Sequence, residues 1–307
     1  MCEVSVIMAT YKEELYLLEE AIESILNQTY TDFEFIIILD NPNNNEHIQC
    51  IKNYEKKDKR IKFYINEKNM GLTSTLNRGL DLAKGKYICR MDADDVSISN
   101  RLEIQKEHLE KNDYDLIGGI SQMIDENGKP IYSIKKVPTN EEKIKKSLKY
   151  NQIISHPTWF GKKELFDVMN GYRMMPLCED YDFTLRAVLA GYRISNINKI
   201  VLKYRMTSTS ISRSNLFEQY LYAKYITKKY KAGEIANIDD AKQYVKEKND
   251  SKKAKRYLKA NVRFNNALRD IEEKKYFKFF IDGILLTFTS VNYLDKIYRF
   301  VKVSSYS

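Results

Sequence analysis

The amino-acid sequence is that of an α/β domain with a mostly parallel central sheet, followed by a helical C-terminal extension. Three observations predict this. Apolar strands and amphipathic helices alternate through the N-terminal third, acidic residues fall where those strands end, and beyond about Ser214 the chain turns to helical patterns rich in Lys and Tyr.

Val4-Ser5-Val6-Ile7-Met8 is an apolar strand, and Leu18, Ala21, Ile22, Ile25 and Leu26 recur on one face of the helix that follows. A second strand, Phe35-Ile36-Ile37-Ile38-Leu39, stops at Asp40-Asn41-Pro42, because proline restricts the residue before it and cannot donate to a ladder. A polar helix around Ile48 to Tyr54, a strand at Ile61 to Ile65, a helix from about Thr73 to Ala83 and a strand at Tyr87 to Met91 continue the alternation. Sheets of this kind hold ligands beyond the carboxyl ends of their strands, which is where Asp40, Asp92 and Asp94 fall. Arg101 to Lys111 reads as helix, followed by Tyr114 to Gly119 and a hairpin around Asp125-Glu126-Asn127-Gly128. Ser155 to Arg186 mixes short strands and helices around His156, Trp159 and the acidic trio Glu179, Asp180 and Asp182. The expected division is a catalytic domain over 1–213 and a helical region over 214–307.

With 43% hydrophobic and 30% charged residues among 307, the composition is that of a folded enzyme rather than a disordered chain. Cys2, Cys50, Cys89 and Cys178 form no CxxC pair, which argues against a zinc site or disulfide framework and for the reduced thiols of a cytoplasmic protein. The net charge of +9 suits an anionic partner, but much of the excess lies beyond residue 200 and need not describe the active site.

The most informative stretch is Tyr87-Ile88-Cys89-Arg90-Met91-Asp92-Ala93-Asp94-Asp95, an apolar run that ends in three carboxylates. Alternation along a strand would aim Asp92 and Asp94 the same way, about 7 Å apart. Hard oxygen ligands so placed suit Mg²⁺ or Mn²⁺, ions that complete their coordination with water and nucleotide phosphates. An acidic strand-to-loop turn with local hydrogen bonds is the other reading. The usual phosphate cradles are missing: no GxGxxG follows the first strand, and Gly79 to Lys86 has the wrong spacing for a P-loop. A metal-held diphosphate remains the economical alternative.

The chain resembles the family 2 glycosyltransferases, inverting enzymes of GT-A fold that transfer a sugar from a nucleotide-sugar donor. The resemblance covers roughly residues 3–213 and rests on segments in the family's order: Val4 to Tyr11, Ser24 to Glu34, Asn69-Met70-Gly71-Leu72 with Asn77 and Gly79, Gly85 to Asp95, and Glu179-Asp180-Tyr181-Asp182. By texture it is similar to members that assemble capsule or exopolysaccharide repeat units. It implies that Asp94 coordinates Mn²⁺ or Mg²⁺ at the donor diphosphate, with Asp92 beside the ion or the ribose, and that Asp180 is the base that deprotonates the acceptor. It implies a nucleobase site of Tyr11 and Asp40, with backbone groups of Ala9 and Thr10, and hence a UDP-sugar or dTDP-sugar donor. Asn77 falls in the donor motif, and His156 and Arg205 match positions near the diphosphate. The implied acceptor is a saccharide or lipid-linked saccharide, and the activity that of a hexosyl- or N-acetylhexosaminyltransferase. Leu39, Leu76 and Met206 depart from the commoner pattern, and the last two leave the pyrophosphate contacts less defined.

The apolar stretch Tyr276 to Phe288 is broken by Lys278 and Asp282 and is too short to cross a bilayer. It suits peripheral contact with the inner face of the membrane, packing on the catalytic domain, or a homodimer interface. Two other functions compete. A sugar nucleotidyltransferase would want a Gly-rich basic loop after the first strand, which Ala9 to Glu14 does not supply. A basic nucleic-acid-binding scaffold is suggested by charge alone, but the carboxylates gather at strand ends while the lysines are dispersed, so no nucleic acid is expected.

Overall fold

A computed structural model describes residues 2–133, 136–206, 215–272, 275, 285, 286 and 289–306. Two compact units divide the chain. One comprises residues 1–145, 152–174 and 179–208, and the other residues 146–151, 175–178 and 209–307.

The first unit is built on one sheet. Strands β1 (Val4–Thr10), β2 (Phe33–Leu39), β3 (Ile61–Ile65) and β4 (Tyr87–Asp92) are all parallel, in the order β3-β2-β1-β4, and are linked by helices α1 (Leu15–Leu26), α2 (Asn45–Lys57) and α3 (Leu72–Leu82). Every residue of β2 is buried, as are all but Ala9 in β1, which is why these strands read as continuous apolar runs rather than alternating ones. Beyond β4 the sheet is mixed. Strand β5 (Val96–Ser97) precedes α4 (Arg101–Asn112), β6 (Leu116–Ile124) and the hairpin strand β7 (Pro130–Ser133). After α5 (Glu141–Ser147) and a 3₁₀ turn (His156–Thr158), β8 (Phe160–Lys162) runs antiparallel between β4 and β6. Helices α6 (Lys163–Val168) and α7 (Glu179–Leu189) lead to β9 (Ile194–Arg205), parallel to β6 and antiparallel to β5. The parallel half, which carries the expected ligand edge, thus follows the pattern read from sequence, and the rest is mixed.

Two close approaches hold the parallel half together. A Cβ on Gly79 would lie 2.4 Å from the Ile7 side chain, so this glycine lets α3 lie directly on β1. A Cβ on Gly85 would lie 2.6 Å from the Ser5 backbone nitrogen; there the Ser5 hydroxyl donates to Glu34 (2.7 Å) and accepts from Gly85 N–H (2.8 Å). Arg101 is fully buried without a carboxylate: its guanidinium donates to Gln105 and to the carbonyls of Arg90, Pro157 and Trp159. It fastens α4 to β4 and to the 3₁₀ turn, and in doing so satisfies carbonyls that the turn leaves open.

The second unit contains α8 (Leu216–Lys231), α9 (Ile238–Lys248), α10 (Ser251–Glu272) and α11 (Val291–Ser304). Tyr257 and Tyr293 pack edge to face within it, 5.0 Å between centroids, and Phe217 and Tyr220 pack on Tyr257 with tilted rings. The Tyr-rich texture of this region is therefore core as well as surface. Among the described residues no helix is long and apolar enough to cross a membrane. Of the apolar stretch Tyr276 to Phe288, only Leu285 and Leu286 are among the described residues.

Candidate active site

Parallel register brings the strand ends to one edge. Thr10 pairs with Leu39 and Ala9 with Asp92, and the Asp40 N–H donates to the Thr10 carbonyl at 2.8 Å. Ala9, Thr10, Asp40 and Asp92 therefore meet although they are far apart in sequence.

The loop after β1 is fixed by Glu13, whose carboxylate accepts from the Thr10 hydroxyl (2.6 Å) and the Tyr11 N–H (2.8 Å). Buried His47 bonds the Glu13 carbonyl through Nε2 at 2.9 Å. Tyr11 is left exposed, an aromatic face at the sheet edge. Asp40 is buried, and its carboxylate accepts from Asn66 Nδ2 (2.6 Å), Met70 N–H (2.7 Å) and Gly71 N–H (2.8 Å). A carboxylate offers about four lone-pair sites, so these bonds fix it and leave one direction open.

The acidic triplet does not form as alternation predicts. Strand β4 ends at Asp92, and Ala93 and Asp94 form a turn. The turn, not the pleat, gathers the carboxylates, and one ligand oxygen from each of Asp92, Asp94 and Asp95 lies within 4.8 Å of the others. Burial, then the charges of Asp92 and Glu13, push the Asp94 carboxyl up to about 7. Asp95 is fully buried and pushed well above the ordinary carboxyl range by burial and by Asp92 and Asp94. It accepts Arg205 N–H on Oδ1 (2.9 Å), while its Oδ2 is buried with no hydrogen-bond partner among the described residues. Crowded hard oxygens with an orphaned lone pair fit Mg²⁺ or Mn²⁺.

Arg90, two residues before Asp92 on the same face of β4, is a member of this charged cluster that the motif reading passed over. It is buried and ion-paired to Asp92. Burial opposes its charge, but Asp92, with Tyr172 and Asp95 adding, outweighs burial and keeps the guanidinium protonated. A cation inside an apolar strand was the available signal, since a buried charge demands a partner.

Helix α7 supplies the second acidic group, and the structure separates the trio. Asp182 is buried against Arg173 and Arg186 (Arg186 Nε to Oδ2, 2.9 Å), and Arg186 also ties the Met169 and Gly171 carbonyls, so Asp182 anchors the helix. Glu179 and Asp180 instead feel Arg90. Burial, then Asp180, push the Glu179 carboxyl up to about 7, and Asp92 adds to this. Burial likewise raises Asp180, against the pull of Tyr181 N–H, Gln152 and Arg90. The triplet and the start of α7 therefore lie within each other's field.

The remaining predicted residues border this site with their polar groups engaged by the chain. Asn77 donates to the Tyr172 carbonyl and accepts its N–H, both at 2.8 Å. His156 is buried, bonds the Tyr172 hydroxyl through Nε2 at 3.0 Å and packs edge to face on Trp159. Burial and Arg90 push it well below the usual histidine range, so the ring is neutral. Trp159 is fully buried and donates to the Ile154 carbonyl. The Arg205 guanidinium binds the carbonyls of Asp94 (2.9 Å), Asp125 and Glu126 and the Glu20 carboxylate, clamping the acidic turn from behind. The Ser/Arg stretch after Met206 lies outside the described residues.

The site is thus a strand-end acidic turn with carboxylates of a second element in its field, at the edge of a mixed α/β sheet. Residues 5–173 match the model described as Glycosyl transferase family 2, and the chain belongs to that family. It is 37% identical over 215 residues to the O-antigen biosynthesis glycosyltransferase WbnJ of Escherichia coli, covering 69% of this chain and 83% of WbnJ. It is 31% identical over 211 residues to the E. coli UDP-Gal:alpha-D-GlcNAc-diphosphoundecaprenol beta-1,3-galactosyltransferase, covering 68% of this chain and 76% of that one. Among solved structures it resembles S. aureus TarS 1–349 in complex with UDP-GlcNAc, with a TM-score of 0.60 and 20% identity over 80% of this chain and 71% of that one, a likeness of fold. Family membership sets the nucleotidyltransferase and scaffold readings aside.

The raised Glu179 carboxyl has a checkable sign. Between its ordinary value of 4.5 and about 7 the folded state holds the proton that the unfolded state has lost, so this group subtracts stability as pH rises through that window. Glu179→Gln should raise the melting temperature in ion-free buffer at pH 8 and leave it unchanged at pH 4. Scanning calorimetry at the two values checks this, and equal shifts at both would contradict it.

Proposed function

We propose that this chain is a metal-dependent inverting glycosyltransferase that moves a sugar from a UDP-sugar to a hydroxyl of a saccharide or lipid-linked saccharide acceptor in polysaccharide assembly. The observation that carries the reading is the convergence of the Asp92/Asp94/Asp95 turn and the Glu179–Asp180 pair at one sheet edge. The names of its relatives support it: one carries UDP-Gal and a diphosphoundecaprenol-linked sugar in its name, another O-antigen biosynthesis, and the structural neighbour holds UDP-GlcNAc.

In this reading Tyr11 packs on the uracil and Asp40 uses its open direction for the imide N–H, with Ala9 and Thr10 backbone groups beside the ring. Asp94, with Asp92 and Asp95, would hold Mn²⁺ or Mg²⁺, which supplies Lewis-acid charge at the donor diphosphate. Asp180 accepts the proton of the acceptor hydroxyl as its oxygen forms a bond to the anomeric carbon. The bond from that carbon to the diphosphate oxygen breaks, and UDP leaves with its electron pair. General-base help of this kind contributes roughly 10² to 10⁴ in rate. Arg90 holds Asp92 in place and keeps Asp180 within reach of its ionised form.

Calorimetric titration tests the donor site. UDP should bind with Mn²⁺ present, and its affinity should fall by roughly tenfold or more without the ion or in Asp94→Ala, in line with the loss of a metal-held contact. Asp180→Asn should bind UDP normally yet lose release of UDP from UDP-Gal and UDP-GlcNAc. Ion-independent binding that survives Asp94→Ala would remove the metal from the account.

A lipid-linked acceptor calls for membrane contact, and helix α10 offers a surface. Lys252, Lys253, Lys255, Arg256 and Lys259 are exposed, form no ion pair among the described residues, and surround exposed Leu258 and Val262. Each such cation is worth about 1 kcal/mol against an anionic bilayer. Flotation with phosphatidylglycerol vesicles should carry the protein, phosphatidylcholine vesicles should not, and a Lys255→Glu, Arg256→Glu, Lys259→Glu variant should stay in solution. Equal flotation of the variant would eliminate this surface.

A further inference from the structure

We infer that Gln152 is a positioning residue that fixes the carboxylate of Asp180 for proton transfer, an inference that rests on Asp180 being the base.

Gln152 lies between α5 and the 3₁₀ turn, far in sequence from α7, yet its side chain reaches the first turn of that helix. Its Nε2 donates to the Thr184 hydroxyl at 3.0 Å and to Asp180 Oδ2 at 3.4 Å. The orientation of the amide is determined by its neighbours. Its Oε1 accepts the Ile153 N–H at 3.1 Å, so a reversed amide would set a donor against that N–H and an oxygen against the Asp180 carboxylate. Thr184 is fully buried and spends its proton on the Asp180 carbonyl at 2.9 Å, which leaves its oxygen free to accept. Every bond in this chain therefore runs one way, from Ile153 N–H through Gln152 to Thr184 and Asp180.

The consequence is a defined pose for the carboxylate. Tyr181 N–H donates to Oδ1 at 2.7 Å and Gln152 to Oδ2 at 3.4 Å, and the backbone N–H of Asp180 itself also supports the carboxylate, so both oxygens are held by the chain. The charges facing Asp180 are Glu179 on its own helix and Arg90 on β4, and the buried Tyr172 hydroxyl lies within its field. Among the described residues Gln152 is the neutral side chain that donates to Oδ2, and it can help hold the carboxylate in one rotamer without neutralising it. A hydrogen bond that favours the carboxylate also favours the form that acts as base.

The test compares Gln152→Met, which keeps volume and removes the donor, with wild type, using release of UDP from UDP-Gal and UDP-GlcNAc with water standing in for the acceptor. The expected result is a loss of about tenfold in kcat at pH 7, an acid limb of the pH profile displaced to higher pH, recovery toward wild type at pH 9, and an unchanged KM for the donor. Thr184→Val, which deprives Gln152 of its other partner, should displace the same limb less. Carbon-13 titration of the Asp180 carboxyl, assigned by Asp180→Asn, gives a readout independent of turnover, and its midpoint should rise in Gln152→Met. A profile that falls equally at all pH, or a midpoint that stays put, would overturn the inference. Full activity in Asp180→Asn would overturn the base reading itself, whereas an inactive Asp180→Asn beside an unaltered Gln152→Met would overturn the role of Gln152 alone.

Discussion

The site depends on one buried cation set among carboxylates. Arg90 touches Asp92 and its field reaches Asp94, Asp95, Glu179 and Asp180. A buried charge is tolerated only when paired, and among the described residues the Arg90 guanidinium faces an excess of acid. Burial first, and then that excess, push the carboxyls of Asp94 and Glu179 up to about 7. Such a site favours whatever brings positive charge to the turn, and a divalent ion with hard oxygen preference matches its donors better than a second side chain would.

Around this centre, polar residues are spent on rigidity. Arg205 clamps the acidic turn, Asp182 anchors α7 through two arginines, and Asn77 holds the backbone of Tyr172, which in turn meets the neutral ring of His156. Asp40 is braced by three N–H donors before any ligand arrives. Groups that must meet a developing charge work best when their own geometry is already determined, and in the proposed reaction these contacts would supply that rigidity.

The parallel half of the sheet was legible because its strands are continuous apolar runs stopped by breakers such as Asp40-Asn41-Pro42, with glycines at close approaches. Strands β5 and β8, of two and three residues, carry too little pattern to be read, and the antiparallel insertion of β8 follows from long-range pairing. The acidic triplet was legible as a group, but the turn that gathers it was not, since periodicity ends with the strand at Asp92. Within Glu179-Asp180-Tyr181-Asp182 no spacing rule separates the anchor from the two acids that face the site; Arg173 and Arg186 decide it. Arg90 carried a signal in its apolar setting, whereas Gln152 carried none, because its meaning arises only when a loop meets α7.

The central claim is that the turn at Asp92 to Asp95 holds an ion against the donor diphosphate. Crystals grown with Mn²⁺ and UDP, measured at the manganese absorption edge, test it directly. The account predicts an anomalous peak in contact with Asp94 and with the diphosphate oxygens of UDP. Bound UDP without a manganese peak at the turn, or with the peak elsewhere, would contradict it.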